Sequence, residues 1–157
     1  QEFDFDTDPA RVAVQNRLYN SDDPDLTAFR EAGGKLLMWH GWADAIVFPG
    51  KTVDYWGQMT ETMGGAAATA DFARLFMIPG MDHCGILNSG PGIDQSGFDP
   101  LSALEAWVER GEAPSRLTTT KSVDGTAQWS RPVCAFPAQA TFTGDGDWRD
   151  AATWTCE

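Results

Sequence analysis

Apolar positions along the chain fall into short dense runs separated by glycine and proline. Residues 35–40 (KLLMWH) are almost continuously apolar and follow directly on Gly33 and Gly34. A run of that length with no polar alternation predicts a strand buried on both faces, as in a parallel sheet. The loop Gly41-Trp42-Ala43-Asp44 comes next, and Pro49 then opens a helix with Val53, Trp56, Met59, Thr60 and Met63 on one stripe. Gly64 and Gly65 end that helix. Residues 72–78 (FARLFMI) predict a second buried strand, broken by Pro79-Gly80, and Met81-Asp82-His83-Cys84-Gly85 form another loop. A glycine-rich stretch containing Ser89 leads to Asp99-Pro100, which places a capping carboxylate before a proline at the first helical position. Leu101, Leu104, Trp107 and Val108 form the predicted apolar face of that helix, and Gly111 ends it.

Strand, helix, strand, helix in this order predicts an α/β fold with a parallel sheet. Residues 1–34 are acidic and punctuated by Pro9 and Pro24, with some helical character over 11–18 and one or two turns over 25–31. They read as a connector laid over a surface. Residues 35–111 carry the α/β unit. From Arg116 the character changes: residues 118–122 and 126–131 flank Asp124-Gly125, a hairpin signal, and the tail after Cys134 reads as loop. Residues 112–157 are therefore expected to be a hairpin and tail of the same domain.

Composition narrows the picture. A chain of 157 residues, 42% hydrophobic and 22% charged, fits one domain with a buried core. Its 11 basic and 23 acidic residues give a net charge of −12, which argues against nucleic acid and anionic membrane surfaces as partners. No apolar run reaches the roughly 18 residues of a membrane-spanning helix. The opening QEFDFDTDPA has neither a basic region nor an apolar stretch, so it does not read as a signal peptide but as the start of a mature product or of a fragment. Seven tryptophans are present, and core packing is expected of the four in or near predicted elements. Of the three cysteines, Cys134 and Cys156 bracket a polar segment with little apolar surface, so they are expected to pair and leave Cys84 over. Such a bridge implies an oxidising compartment, hence a secreted or periplasmic protein.

Ligands of open α/β sheets sit beyond the C-terminal ends of the strands. The first predicted strand delivers His40-Gly41-Trp42-Ala43-Asp44 there, and the second delivers Asp82-His83-Cys84. A carboxylate at one strand end and a histidine at the next can orient and charge a general base. Asp44 followed by His83 is also the order of the last two members of an α/β-hydrolase triad.

The stretches GGKLLMWHGWADAIVFPGKTVDYW, FARLFMIPGMDHC and DPLSALEAWVERGEAP, with the tail SRPVCAFPAQATFTGDGD, resemble in order the C-terminal part of the tannase and feruloyl esterase family. The likeness runs from about Asp4 to the C-terminus. That family comprises secreted serine esterases on an α/β-hydrolase core and includes a hydrolase of mono(2-hydroxyethyl) terephthalate. The resemblance implies that this chain is the C-terminal portion of such a core, parallel strands with flanking helices, followed by a small hairpin and a disulfide-stapled tail. It implies Asp44, in HGWAD, as the triad aspartate and His83, in GM-x-HC, as the triad histidine. Cys84 matches the cysteine that, in the family, bonds one just before the nucleophilic serine, so its partner is expected outside this chain. Trp42, Ile46 and Val47 are candidates for an acyl pocket, although core packing accounts for the last two as well. The implied substrate is an aromatic-acid ester of galloyl or feruloyl type.

The family's serine lies in a GCSxGG-type elbow followed by a lid domain, and neither motif is present here. No G-x-S-x-G occurs, so the nucleophile, oxyanion hole and lid are expected on a segment outside these residues, or on a complementary chain, and the chain alone is expected to be inactive. The family's calcium site belongs to its lid, so no metal or other cofactor is expected in this segment. Asp145, Asp147 and Asp150 are only loosely spaced like calcium ligands. Alternative readings are a same-fold acyl peptidase or lipase-like hydrolase, a non-catalytic binding fragment, and a metal site built from His40, Asp44, His83 and Cys84. His40, inside a strand beside Trp39, reads better as a hydrogen-bonded core histidine.

Overall fold

The computed structural model describes residues 3–86, 92, 93 and 95–157. Its centre is a parallel pair of strands, β1 (Leu36–Gly41) and β2 (Ala73–Ile78), in register from Leu36 opposite Ala73 to Gly41 opposite Ile78. The crossover runs through α4 (Pro49–Thr62), preceded in the chain by three short helices, α1 (Asp8–Arg11), α2 (Ala13–Tyr19) and α3 (Thr27–Glu31). None of these three contains a buried residue.

α4 packs with Met59 and Met63 inward, and these join Phe72 and Ala73 in one core cluster. Gly64 and Gly65 stop the helix at φ 96° and 98°, values only glycine adopts without strain. Residues 66–70 (AAATA), to which the sequence pattern assigns no element, form a further turn, α5 (Ala66–Ala70). Alanine forms helix readily enough to do so once the glycines have redirected the chain.

β2 is almost wholly buried, as predicted, whereas β1 is half-buried along most of its length. The difference lies at the far edge of β2, which the tail covers through the Phe76–Ala135 bridge, whereas among the described residues β1 has only β2 beside it. Helix α6 (Pro100–Arg110) begins as the sequence requires, with the Asp99 carboxylate accepting the Ser102 N–H at 3.1 Å, and ends at Gly111 with φ 74°. Its inward face is Ala103, Leu104 and Trp107 rather than the predicted stripe, since Leu101 and Val108 are exposed. Lys35 and Arg74 lie against the Trp107 ring at 5.4 and 5.0 Å, so the tryptophan is covered partly by cations.

The hairpin forms at Asp124-Gly125, both with positive φ, joining β3 (Arg116–Val123) to β4 (Thr126–Cys134). The tail is not only loop: β5 (Ala140–Phe142) pairs antiparallel with β6 (Trp154–Cys156). The Cys134–Cys156 bridge closes this unit over a sequence separation of 22. Arg131 sits 5.3, 4.9 and 4.5 Å from the Trp129, Trp148 and Trp154 rings. Hairpin and sheet share a second core of Phe76, Ile78, Met81, Ile93, Phe98, Leu117 and Val133, and Phe136 donates its N–H to the Leu75 carbonyl at 2.8 Å. Residues 112–157 thus pack on the same core as the sheet. Among the described residues no helix is long and apolar enough to cross a membrane.

Candidate active site

The loops after β1 and β2 leave the sheet side by side because the strands are parallel and in register. Main-chain bonds hold them together: Trp42 N–H reaches the Ile78 carbonyl and Ala43 N–H the Met81 carbonyl, both at 2.9 Å. Gly41 permits this approach, since a Cβ there would strike the carbonyl oxygen of Met81. The chain then turns tightly, with Asp44 N–H on the Gly41 carbonyl at 3.2 Å, which carries the Asp44 side chain back beneath the loop.

The Asp44 side chain is only 4% exposed, and all its neighbours are donors. Oδ1 accepts the N–H groups of Ile46 at 2.8 Å and Val47 at 2.9 Å. Oδ2 lies 2.8 Å from Nδ1 of His83 and 3.0 Å from Nε2 of His40. Burial alone pushes this carboxyl upward. The Val47 N–H, His83, the Ile46 N–H and His40 together outweigh it and hold the group well below the usual carboxylate range.

An ionised carboxylate only accepts hydrogen bonds, so Nδ1 of His83 carries the hydrogen, and in the neutral ring Nε2 then has the lone pair. The His83 side chain is 28% exposed, and no hydrogen bond from another described residue reaches Nε2. A neutral imidazole fixed at one nitrogen by a carboxylate and open at the other can take a proton from a hydroxyl and later return it.

Asp44 and His83 are therefore in contact, as the strand–helix–strand order and the family resemblance together imply. Residues Trp42, Ile46 and Val47 are 46%, 63% and 46% exposed, so core packing does not account for them. The backbone of the last two binds Asp44, and their side chains, with Phe48 and Ile86, leave apolar surface exposed on the two loops. Trp42 also lines a cavity of about 380 Å³ with Met77, Pro79, Phe136 and Pro137, which neither Asp44 nor His83 lines. Cys84 is an exposed free thiol held at φ 54°, a left-handed conformation unusual for a residue with a Cβ. Ser89 lies outside the described residues.

His40 is hydrogen-bonded at both ring nitrogens, as a core histidine should be, but its partnership with Asp44 was not foreseen. The signal was available: a histidine at a strand end, a glycine, and an aspartate four positions after the histidine across a tight turn. Asp147 and Asp150 accept main-chain N–H groups of Arg149 and Ala152 and so shape the tail's turns. Among the described residues no group of three or more His, Cys, Asp or Glu side chains is arranged to hold a metal ion.

Residues 3–157 match the family described as tannase and feruloyl esterase. The mono(2-hydroxyethyl) terephthalate hydrolase of Piscinibacter sakaiensis is 39% identical over 165 residues, covering 98% of this chain and 26% of that protein. A probable feruloyl esterase B-2 of Aspergillus terreus is 36% identical, covering 97% of this chain and 32% of that one. Among solved structures, feruloyl esterase B from Aspergillus oryzae superposes with a TM-score of 0.77 at 30% identity, over 95% of this chain and 31% of that one. The tannin acyl hydrolase of Aspergillus niger gives 0.71 at 28% identity, over 97% and 28%. The fold is accordingly the C-terminal portion of an α/β-hydrolase core with a disulfide-closed tail. The chain spans about a quarter to a third of the length of these relatives.

Proposed function

As the chain belongs to the tannase and feruloyl esterase family, we propose that Asp44 and His83 are the aspartate and base of a Ser-His-Asp triad in a carboxylic ester hydrolase acting on esters of aromatic acids. The observation that carries this reading is the 2.8 Å contact between His83 Nδ1 and Asp44 Oδ2 at the ends of adjacent parallel strands. The serine, the oxyanion hole and the lid lie on a segment other than these 157 residues. Cys84 bonds a cysteine beside that serine and so ties the histidine loop to the nucleophile. Any calcium belongs to the lid, and the chemistry here uses side chains alone.

In the first half-reaction the serine hydroxyl oxygen attacks the ester carbonyl while His83 Nε2 takes its proton. Asp44 stabilises the resulting imidazolium and keeps its Nδ1–H turned inward. The tetrahedral intermediate collapses, the alcohol leaves with the proton from His83, and an acyl-serine remains. Water then attacks this acyl-enzyme, His83 again accepting and returning a proton, to release the aromatic acid. Trp42, Ile46 and Val47 supply exposed apolar surface for the acyl group. The tail disulfide supports secretion or export to the periplasm.

A fluorophosphonate probe tests the reading. In the intact source polypeptide it is expected to label one serine outside these residues, in a strand-to-helix elbow, and to leave the isolated chain unlabelled and inactive on methyl ferulate. Labelling with turnover at a serine within residues 1–157, or no labelling of the source polypeptide, would overturn it.

A further inference from the structure

We propose that His40 is a positioning residue for the Asp44–His83 pair, clamping the carboxylate by an Nε2–H bond to the same oxygen that orients His83. The catalytic consequence rests on the triad reading above, but the geometry does not.

His40 is the penultimate residue of β1, and its side chain is 12% exposed. Its Nε2 lies 3.0 Å from Asp44 Oδ2 and 3.2 Å from the Val47 carbonyl oxygen. The carbonyl can only accept, and so can the ionised carboxylate, so the hydrogen must be on Nε2 and is shared between them. In the neutral ring Nδ1 is then an acceptor. The group facing it is the Thr52 hydroxyl at 2.6 Å, which can donate. The result is a directed chain, Thr52 O–H to His40 Nδ1 and His40 Nε2–H to Asp44, complete with an uncharged ring.

With His40 in place Asp44 receives four donors, two on each oxygen: Ile46 and Val47 on Oδ1, His40 and His83 on Oδ2. A carboxylate offers about four lone-pair directions, so none is spare and the group cannot turn without breaking a bond. His40 fixes the face of Oδ2 that the backbone does not reach, with its own ring held between β1 and the first turn of α4. A neutral ring suits that task. A charged His40 would compete with the His83 imidazolium for one oxygen and repel it.

The chain has two histidines, so one variant assigns all four ring nitrogens in a nitrogen-15 spectrum. At pH 7 the expected spectrum shows His40 neutral with hydrogen on Nε2, and His83 with a protected Nδ1–H. H40Q, which keeps a donor on the same strand position, should preserve that protected hydrogen. H40L should expose it, with exchange at least about tenfold faster. In the source polypeptide H40L should lower kcat on methyl ferulate by roughly ten- to a hundredfold, as small misplacements of catalytic groups do, with KM within about twofold and partial rescue in H40Q.

A wild-type His40 with hydrogen on Nδ1, or on both nitrogens, overturns the proposal, and this holds even if H40L does not fold. Unchanged His83 exchange in a folded H40L overturns it as well. If the spectra come out as expected while the source polypeptide shows no His83-dependent esterase activity, the triad reading fails and the clamp stands.

Discussion

Replacing both Cys134 and Cys156 by alanine tests how the tail is held. The bridge spans 22 positions, and closing a loop of that length is worth about 3.4 kcal/mol at 25 °C in the chain-entropy treatment. What else holds the tail is modest. β5 and β6 pair over three residues each, Phe142 and Trp154 stack at 5.5 Å, and Arg131 lies among three indole rings. Arginine–aromatic contacts contribute about 0.5–1 kcal/mol each where exposed. None of these depends on the sulfur atoms, so the native tail should survive the substitution and the cost should appear as lost global stability. For a chain of 157 residues each kcal/mol moves Tm by about 2–4 °C, so a fall of roughly 7–14 °C is expected. Calorimetry and urea unfolding followed by tryptophan fluorescence measure it, and each single variant should lose as much as the double. A loss under about 1 kcal/mol would refute the argument. So would a non-reducing peptide map joining Cys84 to Cys134 or Cys156, since Cys84 is free in the structure.

Gly41→Ala should drive its new methyl group into the Met81 carbonyl and part the two site loops. Overpacking of this kind costs about 1–3 kcal/mol, and loss of the protected His83 Nδ1–H in the NMR spectrum would show that the parting reaches the pair. Asp44→Asn should alter the acid limb of stability. A carboxyl lowered in the fold stabilises it fully above the ordinary range near pH ~4, and that contribution disappears as pH falls through the lower native value, so unfolding free energy between pH 5 and pH 2 should fall less steeply in the variant. Asp99→Ala removes the α6 cap and should cost about 1 kcal/mol in urea titration without disturbing His83.

How legible this was depends on the range of the interactions involved. β1 and β2 were readable because their apolar runs are short and bounded by glycine and proline, and α6 because Asp99-Pro100 acts within one turn of itself. The loop geometry after β1 follows locally too, since Asp44 binds residues two and three positions on. The buried face of α6 was misjudged because Leu101 and Val108 fit an apolar stripe as well as Ala103 does, and only the position of the sheet decides between them. β5 and β6 were invisible because each is three residues long and meets its partner only once the chain folds back to set Ala140 opposite Cys156 and Phe142 opposite Trp154. His40 looked like a core residue for a sound reason, as both its nitrogens are satisfied, but sequence alone does not say that one partner is Asp44.

The central claim is that His83, oriented by Asp44, is the base of an esterase, and His83→Ala in the intact source polypeptide tests it most directly. Hydrolysis of methyl ferulate should fall by about 10³-fold or more in kcat, as when a triad member is removed, with fluorophosphonate labelling lost in parallel and thermal stability little changed. Hydrolysis at an undiminished rate by a correctly folded variant would contradict the account.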